Sequence, residues 1–319
     1  VIRLILTRLG LAIPTLLAIS FLVFFATYLS PADPTDILLG QHATPESKAR
    51  LQHQLGLDLP PLVRYGNYVT GIVFRGDFGR SYFNNGEPVM ALIQRGFPNT
   101  ATLASLALLF SLGIGIPIGI LAAVKANKIV DRAAMSAALL GVAVPSFVLA
   151  PLLTLFFAVQ RNLLPPMGFA LGDTSRMQPP FFILPAIVLG ARSAALMARM
   201  TRSAMLDVLG QDYIRTARAK GLSDGVVLFK HALKNAFPPI MTVAGTTFGY
   251  LLSGSFVVET FFQIPGLGYQ SIFAIQQRDY PVIQGLALLM AFIFVMVNLM
   301  VDILYGVLDP RARSAGGKR

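Results

Sequence analysis

The 319-residue chain contains no cysteine. That excludes disulfides, thiolate metal sites and thiol redox chemistry, and leaves its compartment open. Charge is scarce as well: Asp, Glu, Lys and Arg make up 13% of residues, about half the share of an average soluble domain. The three histidines, His42, His53 and His231, all fall outside the predicted spans given below. An intramembrane metalloprotease, a Ser/His protease or a haem-bearing span therefore lacks its histidine. No Gly-x-x-x-x-Gly-Lys-Ser/Thr segment occurs, so the chain has no loop of its own to cradle and hydrolyse ATP. The expectation is a protein that is not an enzyme.

What the chain does have is long apolar runs. Hydrophobic residues make up 55% of it, and several runs exceed the roughly 20 residues that cross a bilayer. Only helices or closed barrels satisfy every backbone group in lipid, and these runs stay apolar instead of alternating as barrel strands do. The predicted class is all-α, a polytopic membrane protein with six spans at 9–29, 100–124, 134–158, 181–200, 237–258 and 282–306. The first lacks a small-x-small cleavage site at Ala26-Thr27-Tyr28 and reads as a retained signal anchor. The net charge of +11 is read as contact with membrane lipid, not nucleic acid. Its Lys and Arg gather on one set of alternating loops: Arg3 and Arg8, then Lys125, Lys128 and Arg132, then 201–236 with Arg199, then Arg311, Arg313, Lys318 and Arg319. The opposite short loops hold only Arg161, Arg176 and Arg278. Short loops decide orientation, so both termini are placed in the cytosol.

One domain is expected over 1–319, with an extracytoplasmic cap inserted at 30–99. Its tyrosines and phenylalanines alternate with glycine turns, a pattern that suggests compact packing on helix ends. The 261–270 segment, Phe261-Phe262-Gln263-Ile264-Pro265-Gly266-Leu267-Gly268-Tyr269-Gln270, is apolar for an exposed outer loop. With Glu259 beside it, its turn could bend towards the pore mouth and receive substrate, or it could only pack on neighbouring helix ends. Ionisable residues inside spans are few, Arg192 and Asp302. A mid-bilayer charge costs about 2.5–3.5 kcal/mol, so each should meet a partner or water. An ion relay and an interhelical pair are both open, with the pair favoured for Asp302. Prolines 14, 117, 145, 151, 185, 238 and 239 can kink the spans. The steps Gly115-x-x-x-Gly119 and Gly245-x-x-x-Gly249 permit close helix crossing, within the chain or between subunits.

The long basic loop 201–236 carries the most informative segment. Asp212 is a plausible N-cap, and Tyr213, Ala217 and Lys220 recur at helical spacing. Arg215 and Arg218 project from other faces. Gly221 suits a left-handed helix stop with Leu222 as the hydrophobic residue after it, and a second short helix is expected from about Gly225 to Asn235. The result is an elbow with a small-residue ridge at Ala217. It could sit in a cleft on a neighbour or lie on headgroups.

This loop resembles the cytosolic loop of ABC-importer permeases, whose pattern is Glu-Ala-Ala-x-x-x-Gly. Here Arg215-Thr216-Ala217-x-x-x-Gly221 replaces its leading Glu and first Ala. Tyr213-Ile214-Arg215-Thr216-Ala217-Arg218-Ala219-Lys220-Gly221 resembles the form in the dipeptide/oligopeptide/nickel branch. Further segments are similar to that branch in order along the chain: Leu55-Gly56-Leu57-Asp58, Gly76-Asp77-Phe78-Gly79-Arg80-Ser81, Phe97-Pro98-Asn99-Thr100, Pro265-Gly266-Leu267-Gly268, Arg278-Asp279-Tyr280-Pro281 and Asp302-Ile303-Leu304-Tyr305-Gly306. The resemblance is to a first, or B-type, permease subunit of a dipeptide-type importer in the bacterial cytoplasmic membrane. It implies partners: a homologous second permease, two ATP-binding subunits that carry ATP and Mg, an extracytoplasmic substrate-binding protein and a peptide substrate. No cofactor is expected on this chain. Nickel or another small solute stays open within the branch, and an ion-gradient-driven secondary transporter is the rival from another class. A pore for zwitterionic peptides is expected to carry water, hydroxyls and amides, without a charged site.

Overall fold

The computed structural model describes residues 2–30, 33–40, 44–84, 86–167, 179–253 and 255–308. His42, Arg176 and the basic tail 309–319 lie outside them. Among the described residues the chain is helical, with a single isolated antiparallel bridge between Arg80 and Pro88. The order is α1 (Ile2–Tyr28), α2 (Pro34–Leu39), α3 (Pro45–Gln54), α4 (Pro61–Arg75), α5 (Val89–Val124), α6 (Ile129–Ala143), α7 (Ser146–Leu153), α8 (Pro180–Leu209), α9 (Asp212–Ala219), α10 (Asp224–Val226), α11 (Lys234–Ser253), α12 (Phe256–Phe262), α13 (Leu267–Gln277) and α14 (Tyr280–Leu308). Four helices (α1, α5, α8 and α14) are long and apolar enough to cross a membrane, or up to six spans if two bent pairs each count as one.

The sequence boundaries need three corrections. α5 starts at Val89, not 100, and runs through Pro98 without ending, because a proline removes one backbone bond but its neighbours can hold the turn. The expected 134–158 span is a broken one: α6 meets α7 and its π-helical extension Thr154–Gln160 at 104°. The break falls at Val144-Pro145. Proline drives the residue before it towards extended backbone, and Val144 has φ −78° and ψ 117°. The expected 237–258 span is likewise divided, with the helix ending at Ser253 meeting α12 at 52°.

The core of the bundle is the pairing of α5 with α8. Gly115, Gly119 and Gly190 set its spacing. A Cβ on Gly115 would lie 2.6 Å from the Ala194 carbonyl, one on Gly119 would lie 2.5 Å from that of Ala198, and one on Gly190 would lie 2.7 Å from that of Ala107. Small residues are what let two backbones approach so closely. The other glycine step also packs within the chain: Gly245 sits against Val301, and Gly249 against Phe294 and Val297 of α14. α1 lies along α14, joined near one end by Gln284 to Thr27 at 2.5 Å and near the other by Arg8 to Asp302 at 3.0 Å. Asp302 is thus an interhelical partner.

The 30–99 segment is built of α2–α4, a turn region and the start of α5. α4 packs along α1: Tyr65 hydroxyl lies 2.9 Å from that of Ser20, and its ring stacks edge-on to Phe21 at 5.5 Å. Ser81 donates to Asp279 at 2.5 Å, and the Tyr82 amide donates to its other oxygen at 3.1 Å. That joins the Gly76–Tyr82 stretch to the junction before α14. Asp33 caps α2: burial pushes its carboxyl up, but bonds from Thr35, Lys48 and Gln52 outweigh this and hold it at about 2.

Two outcomes test this packing. Gly119→Ala adds a helix-favouring methyl worth about 0.5–1 kcal/mol, but overpacking costs about 1–3 kcal/mol. The variant should melt at a lower temperature in detergent, and an unchanged melting point would show that α5 and α8 can move apart freely. The depressed Asp33 pKa gives the α2 cap stability that is complete above pH 3.8 and lost as pH falls through about 2. The protection factor of the Thr35 amide, its slowing relative to an unstructured peptide at the same pH, should therefore fall over that window and stay level between pH 5 and 8.

Candidate functional site

At the bundle end away from α2–α4, the last turns of α5 and α8 hold α9. Ile214 and Ala217 of α9 pack with Ile120, Ala123, Met205, Val227 and Ala236 in one apolar cluster. Ala217 therefore faces inward, 7% exposed, and is not the outward ridge expected from its size. The reason is helical phase: with Ile214 three residues earlier, it forms the only apolar stripe of a short, otherwise polar helix. Asp212 is the first helical residue, and Gln211 occupies the N-cap without a side-chain bond. Asp212 also lies 3.6 Å from Arg215, and its carbonyl accepts from the Thr216 hydroxyl at 3.0 Å.

The helix stop is as the sequence predicts. Gly221 has φ +77°, its amide donates to the Arg218 carbonyl at 2.9 Å, and Leu222 donates to the Ala217 carbonyl at 3.3 Å. These are the paired bonds of a Schellman motif. The expected second short helix is not separate. α10 continues through a π-helical segment, Val227–Leu233, directly into α11, so the elbow's far arm is the beginning of a long helix. Tyr213 closes the elbow by accepting from Asn235 at 3.0 Å. Nearby, Arg202 of α8 grips Asp131 of α6 with two bonds, 2.5 and 2.7 Å, while the Asn127 amide donates to the same carboxylate at 2.8 Å. This clamp holds the α6 start to α8; the sequence reading passed over it, since the two residues lie 71 positions apart.

What α9 and α10 leave outside is mixed. Tyr213, Leu222, Val226 and Phe229 are exposed apolar side chains, interspersed with exposed Arg215, Arg218, Lys220 and Lys230. That surface sits on a helix rooted in the core by Ile214 and Ala217.

The 261–270 segment differs from expectation. It is not an exposed loop: Phe261 and Phe262 belong to α12, Leu267 to Gln270 belong to α13, and Ile264, Gly266, Leu267 and Gly268 are buried. Gln263 is exposed, in left-handed backbone at φ +54°, and Pro265 is half-buried. The centre is Glu259, with 0% exposure. Its oxygens accept from Ser255 at 2.5 Å, from Thr100 at 2.8 Å and from the Tyr269 amide at 3.0 Å. Thr100 accepts in turn from the Leu267 amide at 2.8 Å, and Asn99 donates to the Pro265 carbonyl at 2.8 Å. Side chains on Gly266 or Gly268 would collide with Glu259 itself. The acid and the glycine turn are a structural knot tying α5 to α12 and α13. The Phe97–Thr100 stretch held the signal for it, two buried polar residues in an apolar helix, but its partner lay about 160 residues away.

A core of helices around α5 and α8, a core-rooted elbow at one end and a helical insert at the other define a transport permease of the ABC importer class. Solved inward-facing structures of the MetNI methionine ABC transporter share the fold, with TM-scores of 0.55 and 0.57, 19% and 20% identity, and coverage of 69% of this chain and 97% of theirs. The chain belongs to the family described as binding-protein-dependent transport system inner membrane component, whose model matches residues 115–314, while the corresponding N-terminal family matches residues 1–104. It is 43% identical to the dipeptide transport system permease protein DppB of Escherichia coli strain K12, over 98% of this chain and 99% of that protein. A putative peptide transport system permease of Brucella abortus strain 2308 is 42% identical, over 97% and 98%. The glutathione transport system permease GsiC of Salmonella choleraesuis is also 42% identical, over 97% and 98%. The protein is a multi-pass membrane permease subunit of an ABC importer.

The Glu259 knot yields a stability test. Glu259→Gln keeps the shape but turns an NH2 group towards a donor, which should cost about 1–3 kcal/mol. The purified variant should melt earlier than the parent. An equal melting point would show that the three bonds carry no net stability.

Proposed function

We propose that this chain is the first permease of an importer for di- or oligopeptides in a bacterial cytoplasmic membrane, working beside a homologous second permease. ATP and Mg are held by two separate ATP-binding subunits, and an extracytoplasmic binding protein delivers the substrate. The names of the relatives support the substrate class: dipeptide, peptide and glutathione carriers, all with free carboxylates. The distribution of cations supports the orientation. Lys125, Lys128, Arg132, Arg215, Arg218, Lys220 and Lys230 gather at the α9 end, which is read as cytosolic. The α2–α4 insert then lies outside, where the binding protein docks.

The observation that carries the mechanism is the α9 elbow. Its outer face offers apolar and basic side chains to an ATP-binding subunit, and its inner face is packed on the ends of α5, α8 and α11. Closure of the ATP-binding subunits moves the elbow, and the packing converts that displacement into a rigid-body tilt of the helices. Asp212, Tyr213, Arg215, Thr216, Gly221 and Leu222 belong to the contact or its geometry, and Ala217 is its root. In this reading Glu259, Gln263 and Pro265–Gly268 serve as the joint that keeps the outer helix ends together during the tilt, in place of a substrate scoop.

The test is Gly221→Leu in the reconstituted importer. A Cβ at Gly221 meets nothing within 4 Å, so the effect comes from the left-handed backbone, a cost of about 1–2 kcal/mol. Substrate-stimulated ATP hydrolysis should fall at least tenfold, or the ATP-binding subunits should dissociate on gel filtration. Parental stimulation in an intact complex would remove α9 as the docking element.

A further inference from the structure

α8 is the most enclosed of the four long apolar helices: 67% of its most apolar stretch is buried, against 17% in α1 and α14. Beyond Pro180 and Ile183 in its first turn, its exposed residues fall on one stripe, Arg192, Leu196, Arg199, Ser203 and Asp207, spaced by three or four residues. Neither the Arg192 nor the Arg199 guanidinium has a hydrogen-bond or ion-pair partner among the described residues. By contrast, Arg202, on the neighbouring face of the same helix, is bound to Asp131, and Arg8 of α1 to Asp302.

Position separates Arg192 from a snorkelling residue. The α8 span read from the sequence is 181–200, and Arg192 stands one to two positions from its midpoint, about 2 Å along the axis. A side chain there cannot reach either edge of a hydrocarbon layer about 30 Å thick. An unpaired guanidinium at that depth does not face lipid; it faces water or an anion. Below it, Arg199, Ser203 and Asp207 continue the polar track towards the α9 end.

We propose that this stripe lines the substrate path and that Arg192 binds the terminal carboxylate of the peptide in transit. The inference rests on the peptide-importer reading and deepens it, and it replaces the uncharged passage expected from the sequence. The planar fork of arginine matches a carboxylate with two parallel bonds, and every dipeptide presents that group whatever its side chains. One fixed cation therefore serves many substrates. A single site of this kind in an open, wet path is weak enough to release its ligand.

The experiment uses the complete importer in liposomes, with the second permease, the ATP-binding subunits and the binding protein. Phenylglyoxal, which modifies accessible arginine, should label Arg192, as read by mass spectrometry. Dialanine at millimolar concentration should reduce that labelling several-fold, and dialanine amide, which lacks the carboxylate, should not. Arg192→Gln should lower dialanine uptake at least tenfold in a complex of parental stoichiometry, and Arg192→Lys should restore part of it. Absence of labelling under every condition would place Arg192 in lipid or in a closed pair with the second permease, and would overturn the proposal. So would equal labelling with and without dialanine, or parental uptake by Arg192→Gln. Failure of the parental importer to take up dialanine, trialanine or pentaalanine would instead remove the peptide reading, and the carboxylate assignment with it.

Discussion

Close contact between α5 and α8 is the constraint on which the other features depend. Three glycines, Gly115, Gly119 and Gly190, bring the two backbones within a distance that no Cβ would allow. In lipid, apolar side chains gain nothing by meeting each other in place of acyl chains, so close packing and internal hydrogen bonds must hold helices together. Ser111 adds such a bond, donating to the Gly190 carbonyl at 2.9 Å. With this pair fixed, the ends of both helices form a rigid floor for α9, and the uncovered side of α8 becomes a defined stripe.

The same economy governs the polar residues. Three buried carboxylates are held in knots: Glu259 with Ser255, Thr100 and Tyr269, Asp131 with Arg202 and Asn127, and Asp279 with Ser81 and Tyr82. Each joins helices that are remote in sequence at a point where a bend or turn leaves backbone groups to satisfy. Their positions divide the molecule by role. The Glu259 and Asp279 knots fasten the end that carries α2–α4, and the Asp131 clamp fastens the end that carries α9.

Pairs of sequence signatures turn out to be contacts. The Gly76–Tyr82 stretch meets Asp279, with Gly79 at φ +87° beside Pro281. Phe97–Thr100 meets Pro265–Gly268, and Asp302 meets Arg8. Read along the chain these are isolated motifs; in space they are the two halves of single joints. The first two joints each combine a glycine turn with hydrogen-bonding side chains, and the third is an ion pair.

The sequence by itself determined what depends on local chemistry. Apolar length marked the membrane class. Gly221 announced its left-handed stop, because only the residue's own backbone is involved. The tertiary structure decided every question of facing. Ala217 looked like an outward ridge and is an inward root, and the 261–270 segment looked like an exposed loop and is buried around Glu259. Residues 225–235 looked like a short helix and open a long one. Arg192 could have been paired or bare, and only the packing of α8 against α5, α6 and α11 left it bare. The physical reason is that in an apolar chain nearly every helix face is hydrophobic, so periodicity cannot tell a face that meets protein from one that meets lipid. That distinction comes from which glycines and hydroxyls find partners across the bundle, a fact no single segment contains.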